Sequence, residues 1–193
     1  MHFKIRSWSL VATAACCAAL SIAGCHSVAA AAQSTSFRDA GFEPTKQTGD
    51  KRYFVEFHAR PGHLLGHTIV VFGRIDSRGR PAESRYGGLY PDDGQAGLIV
   101  GSVLPVDASV RTVKEDISEP ATIVYRRKIN LSEYRALETA FRRERKSEDY
   151  WHLLFFNCND FAARLAESIG LRTPSTILLP KYFVAMLRDL NGG

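Results

Sequence analysis

"FFNCNDFAARLAESIGL" (155–171) contains the only cysteine that lies within sequence able to fold. Asn157 is a residue type that caps helices by accepting from free backbone N–H groups. Cys158, Phe161, Ala162, Leu165 and Ile169 then form a stripe at i, i+3, i+4, i+7 and i+11, and Gly170 closes the helix. The spacing predicts a helix from about Cys158 to Ile169 that presents the cysteine, in its first turn, on the core-facing side. Unsatisfied N–H groups and the positive end of the helix dipole favour a thiolate there. The plain alternative is a buried cysteine acting as a small hydrophobe. The two readings differ in what must face the sulfur.

A thiol nucleophile needs a base, and histidine is the usual one. Beyond residue 24 the chain offers His26, His58, His63, His67 and His152. His67 opens "HTIVVFGRID" (67–76), a β-branched run bounded by Gly66 and "SRGR" that predicts a strand. His67, Ile69 and Val71 share one face of it, so the imidazole is expected to point with core side chains. The third group, which would fix the imidazole tautomer, is expected from the following stretch, with Glu83 and Asp76 as candidates. For the oxyanion, the Cys158 backbone N–H is the default donor. His58, His63 and His67 also resemble a metal cluster. Pro61, Gly62 and Gly66 interrupt it, and no glutamate follows His63 as a zinc-binding HExxH helix requires, so no metal and no cofactor is expected.

Around these two motifs, "RYFVEFH" (52–58), "SRYGGLY" (84–90), "GLIVGSV" (97–103) and "ATIVYRRKI" (121–129) read as further strands. Helices then take over. Asn130 with Glu133 forms a capping-box pattern ahead of Leu131, Tyr134, Leu137 and Phe141, and Pro180 suits the first turn of a last helix carrying Phe183, Leu187 and Leu190. The expected fold class is α+β, a mostly antiparallel sheet packed against helices.

The N-terminus reads as a targeting segment. Lys4 and Arg6 precede an apolar run, Trp8 to Ala23, too short and too rich in small residues for a transmembrane helix. The run ends in Ile22-Ala23-Gly24-Cys25, which resembles the bacterial lipobox, whose cysteine is lipidated and becomes the first residue of the processed chain. The resemblance implies a signal peptide at 1–24, a lipid anchor at Cys25 and, with His rather than Asp at position 26, the periplasmic face of the outer membrane. A cut near Val28 to Ala32 is the alternative. Residues 25–50, rich in Ala, Ser, Thr and Gly, read as a flexible tether, and 51–193 as the domain. Removing Lys4 and Arg6 from 25 basic residues leaves 23 against 20 acidic ones, too mild an excess to argue for nucleic acid. "RRERK" (142–146) is interleaved with acid on a predicted helix and reads as a solvated face.

"GHTIVVFG" (66–73) followed some ninety residues later by "NCNDF" (157–161) resembles the circularly permuted papain-like superfamily, which includes NlpC-type peptidoglycan endopeptidases, PPPDE thiol peptidases and the lecithin:retinol acyltransferase group. The match covers about two dozen residues, and the Asp that precedes the cysteine in NlpC-type enzymes is Asn157 here. The resemblance implies a permuted papain-like (NlpC-like) fold, His67 as base, Cys158 as nucleophile and His152, six residues before the cysteine, at the place of a papain-like enzyme's second oxyanion donor. It also implies a thiol protease or amidase of the cell envelope, acting on a peptide or peptidoglycan bond. An acyltransferase or lipase-like thiol enzyme is the enzymatic alternative, and a catalytically idle binding lipoprotein the alternative of another class.

Overall fold

The structure is a computed structural model that describes residues 52–61, 65–147 and 149–193. The signal, tether and Cys25 readings, and His63 in the considered metal cluster, lie outside those residues. Among the described residues, six strands form one antiparallel sheet in the order β5-β1-β2-β3-β4-β6: β1 (Tyr53–Arg60), β2 (His67–Ile75), β3 (Pro81–Pro91), β4 (Val106–Arg111), β5 (Ile123–Ile129) and β6 (Asp149–Trp151). Five helices among the same residues complete the α+β architecture: α1 (Gly94–Gly101), α2 (Glu115–Ser118), α3 (Leu131–Glu144), α4 (Cys158–Glu167) and α5 (Pro180–Leu190).

Alternation along β1 and β2 divides the apolar side chains between the two faces. Val55, Phe57, Val70, Phe72 and Leu89 join the main core with Leu137 and Phe141 of α3, Phe161 and Leu165 of α4, and Phe183, Val184 and Leu187 of α5. Phe54, Ile69 and Val71 form a smaller cluster on the opposite face. The main core therefore lies under Thr68, Val70 and Phe72, and not, as the sequence suggested, under the face shared by His67, Ile69 and Val71.

The helix signals translate directly. The Asn130 side chain accepts from the Glu133 N–H while the Glu133 carboxylate accepts from the Asn130 N–H. Pro180 occupies the first turn of α5. The stretch 97–103 differs: its apolar run read as a strand, yet residues 94–101 form α1. Its glycines explain this. A Cβ on Gly97 would lie 2.7 Å from the Pro91 side chain and one on Gly101 2.5 Å from the Trp151 ring, so the helix lies flat on β3 and β6 only because both positions are bare. Ile99 and Val100 are left exposed.

Candidate functional site

Cys158 is the first residue of α4. The Asn157 side chain accepts from the Asn159 N–H and, through a capping box, from the Asp160 N–H, while the Asp160 carboxylate accepts from the Asn157 N–H. The cap thus occupies the second and third N–H groups of the helix and leaves that of Cys158 outside the box. Phe161, Leu165 and Ile169 are buried behind it, so the cysteine is fixed by the packing of the helix that carries it.

The β2 residue that meets α4 is Thr68. Its hydroxyl donates to Asn159 Oδ1 at 2.6 Å, both residues being buried. Asn159 Nδ2 in turn donates to the carbonyls of Thr176 (3.0 Å) and Leu178 (2.6 Å), and Asn157 Nδ2 to those of Leu153 (2.9 Å) and Thr176 (3.3 Å). Each amide has spent both hydrogens on backbone, so neither asparagine is a donor in reserve for an oxyanion. Thr68→Val should leave Asn159 Oδ1 buried without its donor and lower stability by about 1–3 kcal/mol. Denaturant titration checks this, with Thr68→Ser expected to restore most of the loss.

The electrostatics reverse the thiolate expectation. Burial pushes the Cys158 thiol up to about 11, and the N–H groups of Thr68 and of Cys158 itself, which favour the thiolate, offset only part of that. A helix terminus is worth about 1 kcal/mol, less than one pKa unit, whereas full burial shifts a group by up to about 3–5 units, so burial wins. His67 moves the other way: burial first, then the Arg60 guanidinium, lowers it to about 4. Near neutrality the resting pair is a neutral thiol and a neutral imidazole.

His67 opens β2 opposite Arg60 of β1, and its ring packs 4.4 Å, centroid to centroid, from that of Tyr90 on β3. A Cβ on Gly88 would lie 2.4 Å from His67 Nε2, so the ring sits in a slot between a tyrosine and a bare backbone. Nε2 is buried and has no hydrogen-bond partner among the described residues. His67 reaches the site from the end of the sheet, on the face opposite Thr68. It nevertheless lines the same cavity as Cys158, a space of about 840 Å³ whose walls also include Arg60, Tyr90, Leu98, Arg111, Asp116, Trp151 and residues 177–180.

The other expected site residues lie elsewhere. Asp76 sits in the β2–β3 turn, where its carboxylate accepts from the N–H groups of Arg78 and Arg80, each at 2.8 Å. Those bonds, that of Arg80 foremost, hold its carboxyl below the usual range. Glu83 is exposed opposite Arg74. Both belong to the turn end of the hairpin, remote from His67, and neither lines the cavity; the imidazole is held by packing instead. His152 is buried but does not line it either, and its Nδ1 accepts from the Leu154 N–H at 3.1 Å. His58 lies 2.7 Å from Glu56, its Nε2–H placed to donate to that carboxylate.

Several cavity residues carried no sequence signal beyond their position at strand ends. Tyr90 donates its hydroxyl to the Asp116 carboxylate, and burial raises the pKa of both groups. Arg60, at the end of β1, is buried. Only Thr68 could have been found, as the residue beside His67 whose side chain must take the helix-facing side. No protein-family model matches this chain, and no curated protein or solved structure matches it significantly.

Proposed function

We propose that residues 51–193 form a permuted papain-like thiol hydrolase, anchored to the cell envelope through a lipidated Cys25, that cleaves an amide or peptide bond, with peptidoglycan peptides as the first substrate class. One observation carries this reading: a cysteine on the first residue of a capped helix and a histidine with an unpartnered buried nitrogen line one cavity at the end of an antiparallel sheet.

With both groups neutral at rest, the thiol proton passes to His67 Nε2 as Cys158 Sγ attacks the substrate carbonyl carbon. The carbonyl oxygen gains charge facing the Cys158 N–H, which the helix cap leaves available. Collapse expels the amine, which takes the proton from Nε2, and leaves a thioester on Cys158. Water, giving a proton to Nε2, then attacks the thioester and releases the acid and the thiol. A neutral resting pair favours carbonyl substrates that bind closely enough to make the transfer concerted with attack.

The apolar part of the wall, Leu89, Leu98, Leu153 and Ile177 among others, favours a second reading in which the acyl group is a hydrocarbon chain passed to water or another acceptor. The first test covers both. Incubation with short acyl thioesters and aryl amides should produce a protein mass increment equal to the acyl group, mapped by peptide sequencing to Cys158. The adduct should be absent in Cys158→Ala. A full-length protein with no adduct from any member of such a panel would leave the domain a binding module.

A further inference from the structure

Among the described residues, three buried side-chain polar atoms have no hydrogen-bond partner: Arg60 Nη1, His67 Nε2 and Arg111 Nε. All three residues line the cavity that holds Cys158. His67 Nε2 is accounted for as the proposed proton acceptor. The two guanidinium groups are not used by that chemistry, and an unsatisfied buried charged donor is costly enough to call for an explanation.

Arg60 is the stronger case. Its side chain is 4 % exposed, and its one side-chain hydrogen-bond partner among the described residues, Glu119, is reached by Nη2 at 3.4 Å and is itself 65 % exposed. A long contact to a solvated carboxylate compensates little of a buried charge. Arg111 is held at one side of the same space: Nη2 donates to the Pro91 carbonyl and the guanidinium carbon lies 5.2 Å from the Tyr90 ring centre, which leaves Nε without an acceptor. Asp116, the buried acid nearby, feels the Arg60 charge but shares no hydrogen bond with it, and it already accepts from the Tyr90 hydroxyl.

We infer that Arg60, assisted by Arg111, forms a subsite for a carboxylate carried by the ligand of this cavity. The two donors without an acceptor among the described residues, Arg60 Nη1 and Arg111 Nε, match a single carboxylate. Two guanidinium groups face Asp116 and the exposed Glu115 and Glu119 on the same wall, so a second negative charge, as on a phosphate monoester, meets repulsion without a matching donor. The apolar remainder of the wall takes the body of the ligand. The ligand class is then an acylated amino acid or peptide with a free carboxylate, lying with an apolar portion against Leu89 and Leu98. That this ligand is a substrate rests on the proposed thiol chemistry; that it binds does not.

Binding to the full chain carrying Cys158→Ala, which cannot form a thioester, separates the two. N-octanoylglycine and its amide, N-octanoylglycinamide, are compared by calorimetric titration. The acid should bind at least about tenfold more tightly than the amide, the effect of one charge-assisted hydrogen bond in a buried site. Arg60→Gln should reduce the difference to about twofold or less, and Arg111→Gln should reduce it in part. Equal affinity for acid and amide, no measurable binding of either at millimolar concentration, or a full preference surviving in Arg60→Gln would overturn the subsite. Octyl phosphate binding more tightly than the acid would overturn the choice of carboxylate. If Arg60→Gln does not fold, the acid and amide comparison and Arg111→Gln still decide. Loss of the acyl adduct in wild type with the acid preference intact would overturn the hydrolase and leave the subsite.

Discussion

Amide or ester hydrolysis should fall by about 10⁴-fold or more on Cys158→Ala and by about 10²–10⁴-fold on His67→Gln, since one change removes the proposed nucleophile and the other the proposed proton acceptor. The pH profile separates a working base from a packing residue. His67 is lowered to about 4 from an ordinary 6.5, and the proposed reaction uses its neutral form. The wild-type kcat/KM should rise as pH increases through about 4 and stay flat to neutrality, with no inflection near 6.5. Stability follows the same group. Between about 4 and 6.5 the unfolded chain binds a proton that the folded chain refuses, so stability is full above 6.5 and is lost as pH falls toward 4. The loss is at most about 3 kcal/mol, and His67→Gln should remove it. An acid limb near 6.5, or hydrolysis unchanged in His67→Gln, would contradict the assignment.

Gly88→Ala should lower kcat by about 10²-fold, the effect of misplacing a reacting group by about 1 Å. The new Cβ would lie 2.4 Å from His67 Nε2 and 3.1 Å from Ile69 Cγ2, while Tyr90 stands beside the ring. The imidazole must move, and overpacking adds a stability cost of about 1–3 kcal/mol. Gly87→Ala is the matched control. Its Cβ would instead meet the Phe141 ring at 3.1 Å in the main core, so it should lose stability and keep kcat. Equal kcat in the two variants would mean that the slot around His67 does not position it for reaction.

The elements legible in the sequence were those whose local signals agreed with their packing. The Asn157 cap and the 3.6-residue stripe gave α4, the Asn130 and Glu133 pair gave α3, and the β-branched run after His67 gave β2. The run 97–103 misled because a short apolar run does not by its own period separate strand from helix, and its glycines are contact points against Pro91 and Trp151 that only the tertiary structure reveals. β4 escaped notice because "VDASVR" (106–111) is half polar, as suits a strand with one face outward. The nucleophile and base candidates reached one cavity because each is tied to the start of a regular element. The third group could not be placed the same way: Asp76 and Glu83 are close to His67 in sequence, but an antiparallel hairpin carries them to its other end. What stands beside His67 instead is Arg60 and Tyr90, its lateral neighbours across the sheet.

The amides of Asn157 and Asn159 have a mechanical consequence. Three N–H···O bonds run from these two side chains to the carbonyls of Thr176 and Leu178, and the stretch so bound continues as the cavity wall of Leu179 and Pro180 before entering α5. Wall and sulfur are therefore clamped to one turn and travel together. A ligand that pressed on Ile177 would load the same turn that carries Cys158, so the fit of a distant group would bear on the position of the sulfur.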